Sequence, residues 1–167
     1  MDARHPSDSI AFLAHWMGVA DANASGNIHG GVVMKLCDEA AGLAAIRHCR
    51  LRIVTVGVDR MTFLVPIAVG ELVTFKACVN AAWRTSMEVG VRVEAENPAT
   101  GAVRHTTSAY LTMVAVGADG RPTEVPPLEP RTAQELRRGR EAELRRANRL
   151  DERAQIEAAR DPEDTGA

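Results

Sequence analysis

The sequence predicts an α+β domain in which an antiparallel sheet curls around one long, enclosed helix. Residues 32–48 are dominated by Ala, Leu and Met, carry no proline and are apolar nearly all round, which suits a helix covered by other structure rather than laid on a surface. Four segments rich in Val, Thr and aromatics follow in succession, at 53–63, 72–82, 87–96 and 103–116. In one of them Met87, Val89, Val91, Val93 and Ala95 alternate with Glu88, Gly90, Arg92, Glu94 and Glu96, the period of an antiparallel strand with one wet face.

Taken along the chain, residues 1–9 form an N-terminal segment and 10–17 can form a short strand that opens a domain spanning 10–121. The helix at 32–48 has a single polar or small seam, Lys35, Asp38 and Gly42. Asn97-Pro98-Ala99-Thr100-Gly101 supplies the turn into the last strand. Pro122, Pro126, Pro127 and Pro130 make 122–131 an extended connector. Thr132-Ala133-Gln134-Glu135 is a capping box, so a helix is expected from 132 to about 160, with 161–167 disordered. From residue 131 onward nine Arg meet nine Asp and Glu, and Leu136, Leu144, Leu150 and Ile156 keep no heptad spacing. The expectation is a solvated helix that frays.

The 167 residues suit one core plus an appendage. A net charge of −2 gives no overall field for nucleic acid, and the interleaved acids of the tail cancel its arginines, so no nucleic-acid partner is expected. The apolar stretch at 30–46 is broken by Lys35, Asp38 and Glu39, so neither is a membrane span. The N-terminus lacks a cationic start followed by an apolar run, and the expected location is the cytoplasm. Cys37, Cys49 and Cys78 are odd in number with no C-x-x-C spacing, and the five His are scattered, so disulfides and a metal site are not expected.

Serine-hydrolase, zincin, P-loop and dinucleotide-binding signatures are all missing. The chemistry is left to the run Asp21 to Gly31 and the helix it enters. Gly30-Gly31 can expose free backbone N–H donors at a helix start, able to polarise a carbonyl, or can simply turn the chain tightly. Asp38, two turns into an apolar helix, is a carboxylate that burial would penalise unless it served a functional pocket or paired with Lys35.

Read together, Asp21 to Gly31, Val33-Met34-Lys35-Leu36-Cys37-Asp38-Glu39-Ala40-Ala41-Gly42, Val54-Thr55-Val56-Gly57-Val58-Asp59, Phe63-Leu64-Val65-Pro66, Arg84-Thr85-Ser86 and His105-Thr106-Thr107-Ser108-Ala109-Tyr110 resemble the hotdog-fold acyl-CoA thioesterases of the bacterial YciA type and the animal brain type, over roughly residues 10–130. The resemblance implies hydrolysis of fatty acyl-CoA to free acid and CoA, with no cofactor, in dimers that commonly assemble as a trimer of dimers, a hexamer. It implies catalytic roles for Asn23 and Asp38, with Asn27 a second candidate amide, and CoA binding by Arg84, Thr85 and Ser86. Trp83 departs from the family, where Gly often precedes Arg-Thr-Ser, and Thr107 stands where Asn is frequent. A non-catalytic acyl-CoA sensor, or another hotdog enzyme such as a dehydratase using His29 with Asp38, is the alternative.

Gly31 and Asp38 lie seven residues apart, about 10 Å along a helix axis, too far for one thioester to touch both. Two helices facing each other across a two-fold axis would bring the start of one to the Asp38 of the other. A site shared between subunits is therefore expected. In it the Gly30 and Gly31 amides would polarise the carbonyl, Asn23 would orient water or carbonyl, and Asp38 would act as general base or nucleophile.

Overall fold

The computed structural model of the chain describes residues 1–59 and 61–159. After a short 3-10 helix at Pro6–Ser9, strand β1 (Ala11–Trp16) leads through the loop of residues 17–29 to helix α1 (Gly30–Cys49). Five strands follow: β2 (Arg52–Val58), β3 (Thr62–Phe63), β4 (Leu72–Ala82), β5 (Ser86–Asn97) and β6 (Ala102–Val116). Helix α2 (Ala133–Ala158) comes last. One antiparallel sheet runs in the order β1-β4-β5-β6-β2, with β3 also on β6.

The alternation read in the sequence sets the two faces. Val73, Phe75, Ala77 and Val79 of β4, Met87, Val89, Val91 and Val93 of β5, and Ala109, Leu111 and Met113 of β6 are buried against α1. The helix meets them with Val33, Leu36, Cys37, Ala40, Ala41, Ala44 and Ala45, whose small side chains let the backbones approach closely. Each fully buried aliphatic side chain here stabilises the fold by about 1.5–3 kcal/mol.

Three expectations need correction. Within a single chain the helix is covered on one side only: Met34, Leu43 and Ile46 are exposed, because one sheet covers one side of a helix. The segment 53–63 is not one strand. The register shifts between Thr55 and Gly57, a bulge that bends β2, and the chain re-pairs only at Thr62. The C-terminal helix docks one side on the sheet and stays solvated on the other. Thr132 caps it as the capping box predicts, its Oγ1 accepting from the Glu135 N–H at 3.2 Å, and arginines on one side reach into the outer face of the sheet. Their targets, Glu88 and Asp59, lie far away in sequence, so charge patterning within the tail does not reveal them. The disorder expected at 161–167 falls outside the described residues.

Candidate active site

Asp38 stands in the third turn of α1, on the flank beside β2. It is exposed, not buried as its apolar helix suggests, and Lys35 pairs with Glu39 at 3.6 Å, one turn along, instead of with Asp38. Its fixed partner is Thr55 of β2, whose Oγ1 donates to Asp38 Oδ1 at 2.6 Å. The pair stands at a cavity of about 330 Å³ whose other walls include Met34, Val58, Met61, Ala109 and Leu111. A carboxylate in fixed orientation thus borders a small apolar chamber. Cys37, next in sequence, faces the core. Burial, and secondarily the Asp38 charge, push its thiol up to about 12, which keeps it protonated and inert as a nucleophile.

The loop before α1 folds on Asn23. Its Oδ1 accepts from the Ser25 N–H at 2.9 Å and the Asn27 N–H at 3.3 Å, and its backbone N–H donates to Asn27 O at 2.7 Å. With Oδ1 holding the turn, the Nδ2 amide is the group Asn23 can offer to a ligand. Asn27 is exposed and bridges to Ala68. The two glycines differ. His29 caps the helix, Nδ1 accepting from the Gly31 N–H at 2.9 Å, so that amide is occupied and the ring rests where a Gly31 Cβ would stand, 3.1 Å away. The Gly30 N–H, first in the helix, has no acceptor within it. A Gly30 Cβ would meet Phe63 at 3.4 Å, an ordinary van der Waals contact.

Trp83, Arg84 and Thr85 form the turn between β4 and β5, closed by the Trp83 N–H donating to Ser86 O at 2.8 Å. The carbonyl of Arg84 accepts from Val125 N–H, which ties the proline connector to this turn. Thr85 and Ser86 line a cavity of about 830 Å³ beneath the second half of α2, together with Arg146 and Arg153; Arg84 does not line it. Trp83, the departure from the family pattern, lies under the Arg146 guanidinium, 4.6 Å from ring centroid to Cζ.

The model of the thioesterase superfamily matches residues 25–102. Protein VdlD of Helicobacter pylori is 44% identical over 117 residues, covering 70% of this chain and 67% of that protein. The chain belongs to the thioesterase superfamily. The rat cytosolic acyl coenzyme A thioester hydrolase is 37% identical over 141 residues, 83% of this chain and 37% of that longer protein. The crystal structure of an apo-hexameric acyl-CoA thioesterase superimposes with a TM-score of 0.89 at 36% identity, covering 92% of this chain and 99% of that one. An acyl-CoA hydrolase from Staphylococcus aureus, solved with butyryl coenzyme A and coenzyme A, gives 0.83 at 28% identity, covering 93% and 98%. The architecture is thus the hotdog fold that the sequence resemblance implies, with a C-terminal helix added.

Two features of this superfamily member escape the sequence. Thr55 lies within the resembling run, but its contact with Asp38 depends on how β2 is placed beside α1, 17 residues apart in sequence. The arginines of α2 look like solvent charges until the sheet's outer face is seen. Among the described residues, no three His, Cys, Asp or Glu side chains are grouped to hold a metal ion, and no helix is long and apolar enough to cross a membrane.

Proposed function

We propose that the chain hydrolyses acyl-CoA thioesters to free acid and CoA, with Asp38 as the reacting carboxylate. The observation that carries this reading is the Asp38 carboxylate, oriented by Thr55 Oγ1 at 2.6 Å beside an apolar chamber suited to an acyl group. The names of the relatives support it. The Staphylococcus aureus hydrolase has also been solved with an asparagine, an aspartate and a threonine each replaced by alanine, at the same mutual spacing as Asn23, Asp38 and Thr55.

Asp38 either takes a proton from the water that attacks the thioester carbon, or attacks it directly to give a mixed anhydride that water then cleaves. The developing oxyanion needs donors, and the Asn23 Nδ2 and Gly30 amides are the available ones; Gly31 contributes once His29 releases it. These donors and Asp38 sit at opposite ends of a 10 Å span, so two subunits share each site. Arg84, Thr85 and Ser86 bind the CoA moiety, the dimers assemble as a hexamer, and the protein works in the cytoplasm without a cofactor. His29 Nδ1 accepts from the Gly31 N–H at the start of its own helix, so that nitrogen is engaged and does not stand free as a dehydratase base.

Thiol release from a panel of acyl-CoAs, acetyl to palmitoyl, tests the reading. Asp38→Asn is expected to lower hydrolysis by about 100-fold or more with folding intact. A variant keeping more than about a tenth of the rate removes Asp38 from the chemistry. A wild type that binds acyl-CoA and releases no thiol is a binding protein instead.

A further inference from the structure

The outer face of the sheet, opposite the acyl chamber, carries an arrangement that hydrolysis does not use. Lys76 of β4 and Arg92 of β5 are direct cross-strand partners, with Ser108 of β6 next in the same row. Like charges placed directly opposite each other repel and destabilise a sheet. One carboxylate, Glu94, serves both cations. Above this row α2 adds Arg137, paired with Glu141, and Arg138, which among the described residues has no carboxylate partner. The Arg138 Nη1 instead donates to the Cys78 Sγ at 3.4 Å. These side chains enclose a cavity of about 300 Å³, with Gln134 at its edge. Its floor is Gly90, where a Cβ would stand 2.5 Å from Asn80 Nδ2 and take up the space. Lys76, Arg92, Arg137 and Arg138 thus face one cavity whose lining includes a single carboxylate, Glu141, while Glu94 pairs with Lys76 and Arg92 from outside the lining. The cavity keeps an excess of positive charge that suits an anion such as a phosphate group.

We propose that this cavity between α2 and strands β4 to β6 binds a phosphorylated ligand, with Lys76, Arg92, Arg137 and Arg138 as its cationic contacts. Arg forks match phosphate oxygens bidentately, and Ser108 and Gln134 add neutral donors. The two sources of such a group are the phosphorylated nucleotide of CoA itself and a separate phosphorylated effector.

Calorimetric titration of the intact protein with inorganic pyrophosphate tests the site without reference to hydrolysis. Saturable binding is expected in the wild type, weakened about tenfold or more by Arg138→Met and by Lys76→Met, and tightened by Glu94→Gln, which removes a competing carboxylate. Three substitutions on different elements keep the test open if one of them fails to fold. If the variants also raise KM for acyl-CoA and leave that for an acyl-pantetheine unchanged, the occupant is the CoA nucleotide. If acyl-CoA kinetics stay unchanged while pyrophosphate affinity falls, it is a separate effector. Absence of saturable binding in the wild type, or equal affinity in all the variants that fold, overturns the proposal.

Discussion

Arg145 of α2 grips Glu88 of β5 with both ends of its guanidinium, Nε 3.0 Å from Oε2 and Nη2 2.6 Å from Oε1. Glu88 is fully buried, and its Oε1 also accepts from Asn80 Nδ2 at 3.2 Å. The guanidinium lies over the Tyr110 ring, 3.7 Å from its centroid. The helix is fastened to the sheet by a charge pair that water does not reach on the Glu88 side. Removing one partner leaves the other charge uncompensated, so Arg145→Met is expected to destabilise the protein by about 3–5 kcal/mol in denaturant unfolding. Adding Glu88→Gln should recover part of that loss. Additive losses in the double variant would show that the two residues act independently.

In the proposed mechanism Thr55 acts through Asp38, to which its Oγ1 donates at 2.6 Å, and is a positioning residue. A hydrogen bond to a charged group is worth about 1.5–3 kcal/mol, so Thr55→Val should lower kcat by roughly tenfold or more with little change in KM. Thr55→Ser, which retains the hydroxyl, should restore most of the rate. An equal defect in both variants would mean that the methyl group's packing matters, and not the bond to Asp38.

His48 is expected to make the fold less stable as pH falls below about 6.5. It is fully buried at the end of α1, with Nε2 2.8 Å from Pro126 O and, among the described residues, no partner for Nδ1. Burial chiefly lowers its pKa below the usual 6.5, with the nearby Arg4 charge adding to that and the Pro126 carbonyl and Asp8 opposing it. The unfolded chain therefore binds a proton more readily than the folded one. Stability from this group is complete above about pH 6.5 and is lost as pH falls from there toward the lower folded value. Urea midpoints between pH 8 and pH 5 should fall in the wild type and fall less in His48→Gln. Parallel curves would place the dependence on other groups.

The order of elements is legible because each answers to a local rule. The alternation of 87–96 gives β5 and its inward face, the proline-free apolar run gives α1, and the Thr132–Glu135 box gives the first turn of α2. What the sequence hides is set by contacts between distant segments. The bulge in β2 follows from pairing with β6, the exposure of Asp38 from which side of α1 the sheet covers, and the docking of α2 from Glu88 and Asp59. Asn23 and Asp38 are legible as candidates through the resemblance. The capping of Gly31 by His29 is not, since it turns on a side-chain rotamer.

The last expectation concerns how the two halves of the proposed site meet. Within one chain the start of α1 and Asp38 are separated by about two turns of helix, so a single carbonyl cannot contact both. If each site combines the Asn23 loop of one subunit with Asp38 of its partner, two inactive proteins can rebuild an active one. Asn23→Ala and Asp38→Ala chains, refolded together, give heterodimers with one intact site and one doubly damaged site. Random mixing makes half of the dimers mixed, and with independent sites the activity returns to about a quarter of the wild-type level. If both residues of a site come from one chain, every site in the mixture carries a lesion and no activity returns. Heterodimers verified by mass spectrometry that stay inactive would therefore refute the shared site while leaving Asp38 as the reacting carboxylate.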